Sequence, residues 1–222
     1  VLEGKGSDLI PFIPDISDWY IGNKTSAGKE RKHWTGELIP DSDPIHENPG
    51  SLPSKYSGFT LLDFYRHFDW GFHSHIYDWF EVSYEENVER TISTSEDTKE
   101  TAFHTPKGTL IRREQLSKDG IWCVKKNFVK DMKDLEIMSL VVESTGFSSR
   151  FGKVSFVIEQ AGILGQADLV IPRSPFGKLV QEYAGYENAV LFLADAPDFI
   201  KDFLKLQQQK DLELIRLACE AP

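Results

Sequence analysis

The sequence predicts an α/β protein in which short core strands alternate with helices and an antiparallel block is inserted between them. Apolar runs of strand length alternate with amphipathic helical segments, which is the order of βα units. Residues 80–129 change to an alternation of apolar and polar side chains, which is typical of antiparallel strands. The 222 residues are 40% hydrophobic and 27% charged, the composition of a globular chain with an apolar core.

Three segments have the length and apolar content of core strands: Ile10–Pro14, Phe72–Ile76 and Leu169–Ile171. The first is followed by a stretch rich in Gly, Pro, Ser and Asp, which we interpret as a loop of about 40 residues. Loops of that length inside a compact domain are usually functional or mobile.

Helical spacing recurs after each predicted strand. Thr60–Phe68 has an N-cap threonine and an apolar stripe, which predicts a short amphipathic helix. Further helices are predicted within residues 130–144, within residues 148–165, and as a pair that ends the chain. Pro197 fits the first turn of the last helix, where its missing N–H costs nothing.

The central block predicts a β-hairpin or meander over residues 80–129. Phe80, Val82 and Tyr84 alternate with polar residues, and the sequences STSED and TPKG supply turns between strands. We expect this block to be an insertion within one domain, residues 1–222.

Charge and cysteine content exclude several classes of protein. The net charge of −10 argues against a nucleic-acid partner, because no basic stripe could neutralise phosphates. Cys123 and Cys219 lie far apart and form neither a disulfide framework nor a metal knuckle, so a cytoplasmic location is expected. No apolar run approaches the roughly 20 residues that cross a bilayer, so no membrane partner is expected.

Three longer motifs resemble, in this order, the uroporphyrinogen decarboxylase superfamily: FHTPKGTLIRREQL, VKDMKDLEIMSLVVES and SPFGKLVQEYAGYENAVLFLADAPDFIKDFLKL. The similarity is greatest to its cobalamin-linked methyltransferases and their uncharacterised relatives. It implies a (β/α)8 TIM barrel with an antiparallel hairpin insertion after the second strand. A barrel takes about 250 residues, so we expect this chain, which begins at Val1 rather than Met, to be the N-terminal part of a longer enzyme.

The resemblance implies transfer of a methyl group from a small methylated donor to a thiol or a corrinoid protein. Zinc and a corrinoid are implied only by that resemblance. The His-x-Cys ligand pair of these methyltransferases is absent, so no metal ligands are expected in this chain.

Two alternatives remain open at this point. The chain could be a non-catalytic or fragmentary barrel relative that acts as a binding module. It could also be a tetrapyrrole decarboxylase, although the segment PDISDWYIGNK is acidic and lacks the arginines that meet substrate carboxylates in those enzymes.

His73 and His75 are the most distinctive pair in the sequence. Residues i and i+2 of a strand point to the same face, so both imidazoles could reach one metal, with Glu81 or His104 as a third ligand. They could instead line a substrate pocket, which is the assignment we adopt, or serve packing and hydrogen bonding.

Other candidate residues follow the first and third predicted strands. Asp15 is the candidate catalytic carboxylate, with Trp19 and Tyr20 beside it in the substrate pocket; a turn or helix cap is the alternative.

Near the third strand, Arg173 could bind an anionic group of the substrate, or form a salt bridge with a loop carboxylate. Phe176 and Tyr183 are candidates for the same small-molecule pocket, with core packing as the alternative. An unpaired third strand would expose its edge, so we also expect self-association or pairing with the remainder of the barrel.

Overall fold

The computed structural model describes residues 12–17, 19–20, 52–118 and 122–222. These residues form two compact units: unit 1 comprises the residues up to Trp79, Phe151–Val170 and Pro222, and unit 2 comprises Phe80–Arg150 and Ile171–Ala221. Ile10 and Pro11 of the first predicted strand and most of the predicted long loop lie outside the described residues.

The helices are α1 (Leu61–Phe68), α2 (Met132–Glu143), α3 (Phe151–Ala161), α4 (Pro175–Lys178), α5 (Tyr186–Asp195) and α6 (Pro197–Ala218), and a π-helical turn spans Leu179–Tyr183. The strands are β1 (Phe72–Ile76), β2 (Phe80–Tyr84), β3 (Glu89–Thr94), β4 (Thr98–Thr105), β5 (Gly108–Leu116), β6 (Trp122–Lys126), β7 (Thr145–Ser149) and β8 (Gly165–Leu169).

Helix α1 begins at a capping box. The Thr60 hydroxyl accepts a hydrogen bond from the Asp63 backbone N–H at 3.2 Å, and the Asp63 carboxylate accepts from the Thr60 N–H at 2.9 Å. Asp69 ends the helix with φ of 53°, a left-handed conformation that asparagine and aspartate tolerate better than most residues. The chain then turns directly into β1.

Strand β1 pairs with β8 in parallel, from Phe72 opposite Gly165 to Ile76 opposite Leu169. Phe72, Ser74 and Ile76 are buried, whereas the intervening residues are exposed. Helix α3 packs on β8 and contributes buried valines to unit 1. The two histidines of β1 therefore share the face of the strand pair that remains open to solvent.

Unit 2 contains an antiparallel sheet in the order β3-β4-β5-β6 and a separate antiparallel pair, β2 with β7. Helix α2 packs on β4, β5 and α6. The core includes Leu110, Leu135 and Ile200, each at most 1% exposed. Asp131 caps α2 by accepting a hydrogen bond from the Asp134 N–H at 2.9 Å.

The predicted barrel is wrong. The strands form sheets of two, two and four strands, none of them closed, and within the described residues only β1 and β8 pair in parallel. Phe12–Pro14 is not a strand, and Pro14 has no N–H to donate to a neighbouring strand. Closure requires each strand to have two neighbours, and the periodicity of single segments carries no information about those neighbours.

Two strand boundaries also differ from the prediction. The third predicted strand, Leu169–Ile171, lies earlier in the chain, because β8 ends at Leu169. The block at residues 80–129 contributes to two sheets, since β2 takes its partner β7 from beyond residue 129.

Helix α6 is the longest of the described helices, with 22 residues, and it is amphipathic. It buries Ile200, Phe203 and Leu214 on one side, while the exposed side carries charged and polar residues together with Leu212 and Ile215. Among the described residues, no helix combines the length and the apolar content that crossing a membrane requires.

Replacing Leu135 by Ala should lower the free energy of unfolding by about 2–5 kcal/mol, because the substitution leaves a cavity at a fully buried position of α2. Urea denaturation followed by circular dichroism measures this loss. The matched control is Leu191→Ala in α5, where the side chain is 51% exposed and the expected change is within about 0.5 kcal/mol. Equal losses for the two variants would contradict the described core of unit 2.

Candidate functional site

A cluster of two imidazoles and one carboxylate lies on the open face of the β1–β8 pair. The Nε2 atom of His73 contacts Oδ2 of Asp168 directly, and Nδ1 of His75 lies 4.0 Å from the same oxygen. One ligand atom from each of the three residues lies within 4.8 Å of the other two. We call these three residues the His–His–Asp cluster.

The register of the strand pair creates this cluster. Parallel pairing sets His75 opposite Asp168 and His73 opposite Gln166. Since alternate residues of a strand share a face, Gln166 and Asp168 project beside the two histidines. The Gln166 amide donates to Oδ1 of Asp168 at 3.3 Å, which leaves Oδ2 directed to the imidazoles.

Asp15 adds a second carboxylate next to this cluster. A small cavity of about 80 Å³ is lined by Asp15, Ser17, Tyr65 and both histidines of β1, among others. The Tyr65 hydroxyl donates to the Pro14 carbonyl at 2.7 Å and so anchors the segment that carries Asp15.

The surroundings of Asp15 favour its charged form. Hydrogen bonds from the Ser17 hydroxyl and the Ser17 backbone N–H lower the pKa of Asp15, and the two neighbouring histidines lower it further. A carboxylate with a lowered pKa is a weak proton acceptor at neutral pH. Asp15 therefore suits the stabilisation of a cation better than the acceptance of a proton, and its hydrogen bond from the Ser17 N–H matches the turn or cap alternative.

The cluster is accessible to ions and small molecules. The side chains of His73, His75 and Asp168 are 39%, 52% and 41% exposed. In a tetrahedral zinc site the ligand atoms lie about 3.4 Å apart, given metal–nitrogen distances near 2.1 Å. The Nδ1 atom of His75 is farther than this from Oδ2 of Asp168 and Nε2 of His73 is closer, so both distances would have to change on metal binding.

Asp168 was missed by the sequence analysis, which named Glu81 or His104 as the third ligand. Both of those residues belong to unit 2. Glu81 accepts a hydrogen bond from Nε of Arg150 at 2.7 Å, and His104 lies between the hydroxyls of Thr91 and Thr109, at 3.3 and 3.2 Å. Asp168 is identified by the pairing register of β1 with β8, and the sequence of one segment does not specify that register.

Trp19 and Tyr20, predicted to bind substrate, belong to an aromatic cluster of unit 1 around Phe64. Tyr20 is 2% exposed, and its hydroxyl donates to the Phe59 carbonyl at 3.0 Å. Trp19 remains 45% exposed and packs edge-on against Phe64. This arrangement gives Tyr20 a structural role.

The predicted residues near the third strand belong to unit 2. Arg173 lies 3.5 Å from the Glu182 carboxylate, which matches the salt-bridge alternative. Phe176 is 42% exposed. The Tyr183 hydroxyl donates to Oε1 of Gln207 at 2.9 Å, and burial raises the pKa of Tyr183 far above its usual range. Tyr183 also lines a cavity of unit 2.

No protein-family model, no curated protein and no solved structure matches this chain. The metal-binding chemistry of the site is therefore inferred from the residues and their geometry.

Replacing Tyr20 by Phe tests the burial of this side chain. Burial raises the pKa of Tyr20 from 10.0 to about 12, so the folded protein keeps the phenol protonated where the unfolded chain releases the proton. The stability that Tyr20 contributes is present below pH 10 and is lost as the pH rises towards 12.

The difference in free energy of unfolding between wild type and Tyr20→Phe should therefore be constant below pH 10. Above pH 10, the stability of the wild type should fall relative to that of the variant. Urea titrations of both proteins across that range measure the difference. The other buried tyrosines contribute equally to the free energy of unfolding of both proteins, so their contributions cancel in the difference. A difference that does not change with pH would show that Tyr20 is accessible to water.

Proposed function

We propose that this chain acts as a metal-dependent enzyme whose divalent transition metal is bound by His73, His75 and Asp168. The observation that supports the proposal is the proximity of the three ligand atoms, all within 4.8 Å of one another. Two imidazoles and one carboxylate form a ligand set that suits zinc and iron(II), and it leaves coordination positions for water or substrate.

Charge balance around the cluster supports a cation. Asp15 and Asp168 supply two negative charges, and two neutral imidazoles supply none. A divalent ion would therefore make the four side chains and the ion neutral as a group. Asp15 would act as a further ligand or as a hydrogen-bond acceptor for bound water. Gln166 would orient Asp168 from behind, as outer hydrogen-bond partners do in metal sites.

The reaction class we propose is methyl transfer from a small methylated donor to a thiol or a corrinoid protein. It rests on the resemblance of the three sequence motifs to cobalamin-linked methyltransferases. A metal bound to a thiol lowers the pKa of the thiol and so supplies the thiolate nucleophile. Asp15 would stabilise the positive charge that accompanies the methyl group.

A cytoplasmic location is part of the same proposal. Cys123 and Cys219 are both exposed and form no disulfide within the described residues, which suits a reducing compartment. Self-association of the chain and binding of a corrinoid protein both stay predictions.

A second candidate function is a binding module without catalysis. The direct contact of His73 with Asp168 is compatible with it, because an exposed pair of this kind forms without any catalytic role. A tetrapyrrole decarboxylase is less well supported, since acidic residues stand where substrate carboxylates would need arginines.

Metal binding is tested by titrating the chain with Zn²⁺ in a calorimeter. We expect one site, and we expect His73→Ala, His75→Ala and Asp168→Asn each to weaken binding by at least about a hundredfold, since each removes a ligand. Gln166→Leu should weaken binding about tenfold, because it removes only the support of Asp168.

His104→Ala is the matched control, since this exposed histidine lies among threonines in unit 2 and should leave the affinity unchanged. If the three cluster variants bind zinc as tightly as His104→Ala does, the proposed metal site is wrong.

Methyl transfer to a thiol is tested separately with zinc-loaded protein, methylcobalamin as the methylated donor and a small thiol as the acceptor. We expect a methylated thiol and a demethylated corrinoid, with the rate reduced at least about a hundredfold in Asp168→Asn because metal is lost. Absorbance of the corrinoid follows the reaction. Zinc binding without any transfer would eliminate the methyltransferase and favour the binding module.

A further inference from the structure

We propose that a cavity of unit 2 binds a small organic anion with an apolar body, a site separate from the His–His–Asp cluster. The cavity has a volume of about 430 Å³, within the range of small-molecule sites in proteins. Its lining comes from β4, β5, α2 and α6, among other elements, and lies entirely within unit 2.

One part of the lining is apolar. Phe103, Phe128, Met138 and Val141 all line the cavity and are at most 6% exposed. Aromatic and aliphatic side chains of this kind provide the contact area for a hydrocarbon or aromatic ring. The organic part of a ligand would be bound here.

The remaining part of the lining is cationic. The cavity is lined by five cationic side chains and two carboxylates, in a chain whose net charge is −10. The cations are Arg90, Lys99, Arg112, Lys178 and Lys210, and the carboxylates are Glu114 and Glu182. A local excess of positive charge in an acidic protein favours an anionic ligand.

Two of these cations form ion pairs with carboxylates that do not line the cavity. Two others form no ion pair within the described residues. Lys178 lies 2.5 Å from Asp211, and Lys210 lies 3.4 Å from Glu213. Within the part of the chain that the structure describes, Arg90 and Lys99 form no ion pair. Their charges remain available to an anion in the cavity.

Arg112 provides a fixed donor. Its Nη1 donates to the Glu182 carbonyl at 3.2 Å, and its Nη2 donates to Oε1 of Glu114 at 3.1 Å. The Nε atom is buried and has no hydrogen-bond partner among the described residues. Buried polar groups are nearly always paired, whereas this guanidinium keeps one donor unpaired at the wall of the cavity.

Strand register places these groups together. Thr101 of β4 lies opposite Arg112 of β5, and Lys99 lies opposite Glu114. The face of β4 that carries Lys99 also carries Phe103, because alternate residues share a face. Cationic and apolar groups thus follow one another along the same strand, which matches a ligand with a charged head and an apolar body.

The test is calorimetric titration of the chain with 3-phenylpropionate, with phenyl phosphate and with the neutral 3-phenylpropanol. We expect saturable binding of at least one of the two anions, and binding at least about tenfold weaker for the alcohol, which lacks the charged hydrogen bonds. The two anions distinguish a carboxylate site from a phosphate site.

Three variants locate the binding. Lys99→Gln and Arg112→Lys should each weaken anion binding about tenfold, and Val141→Phe should prevent it by filling the apolar part. Lys107→Gln, in the exposed turn between β4 and β5, is the matched control and should bind like the wild type. Circular dichroism establishes that each variant is folded, and Arg90→Gln replaces any variant that is not.

The proposal is overturned if neither anion binds to the folded wild type, or if the alcohol binds as tightly as the anions. It is also overturned if the folded Lys99 and Arg112 variants bind as Lys107→Gln does. Zinc binding by the His–His–Asp cluster can succeed or fail independently of each of these results.

Discussion

The parallel pairing of β1 with β8 is the interaction on which the candidate metal site depends. It joins Phe72–Ile76 to Gly165–Leu169, and all the strands of unit 2 lie between them in the chain. Closing a loop of that length costs conformational entropy. The burial of alternate β1 residues and the packing of α3 on β8 offset that cost. The same pairing brings Asp168 beside His73 and His75.

The two units present opposite local charges although the whole chain is acidic. In unit 1, Asp15 and Asp168 lie next to two imidazoles and favour a cation. In unit 2, Arg112 and its neighbours surround a cavity with excess positive charge. The net charge describes the chain as a whole, whereas the local arrangement of charged side chains differs between the two units.

Much of the local structure could be predicted from the sequence. The capping threonine before α1, Pro197 in the first turn of α6 and the alternating strands near residue 80 all express short-range rules. Strand β7 was not predicted as a strand, because Phe147 is its only large apolar residue and pairing with β2 stabilises it. The barrel was wrong for a related reason, since the order of motifs does not specify which strands pair.

The sequence by itself determined that His73 and His75 share one face, because the period of a strand is two residues. Only the tertiary structure decided that Asp168 completes the histidine pair and that Arg112 has a buried, unpartnered Nε. Those relations depend on register and packing between segments far apart in the chain, whereas periodicity acts only between near neighbours.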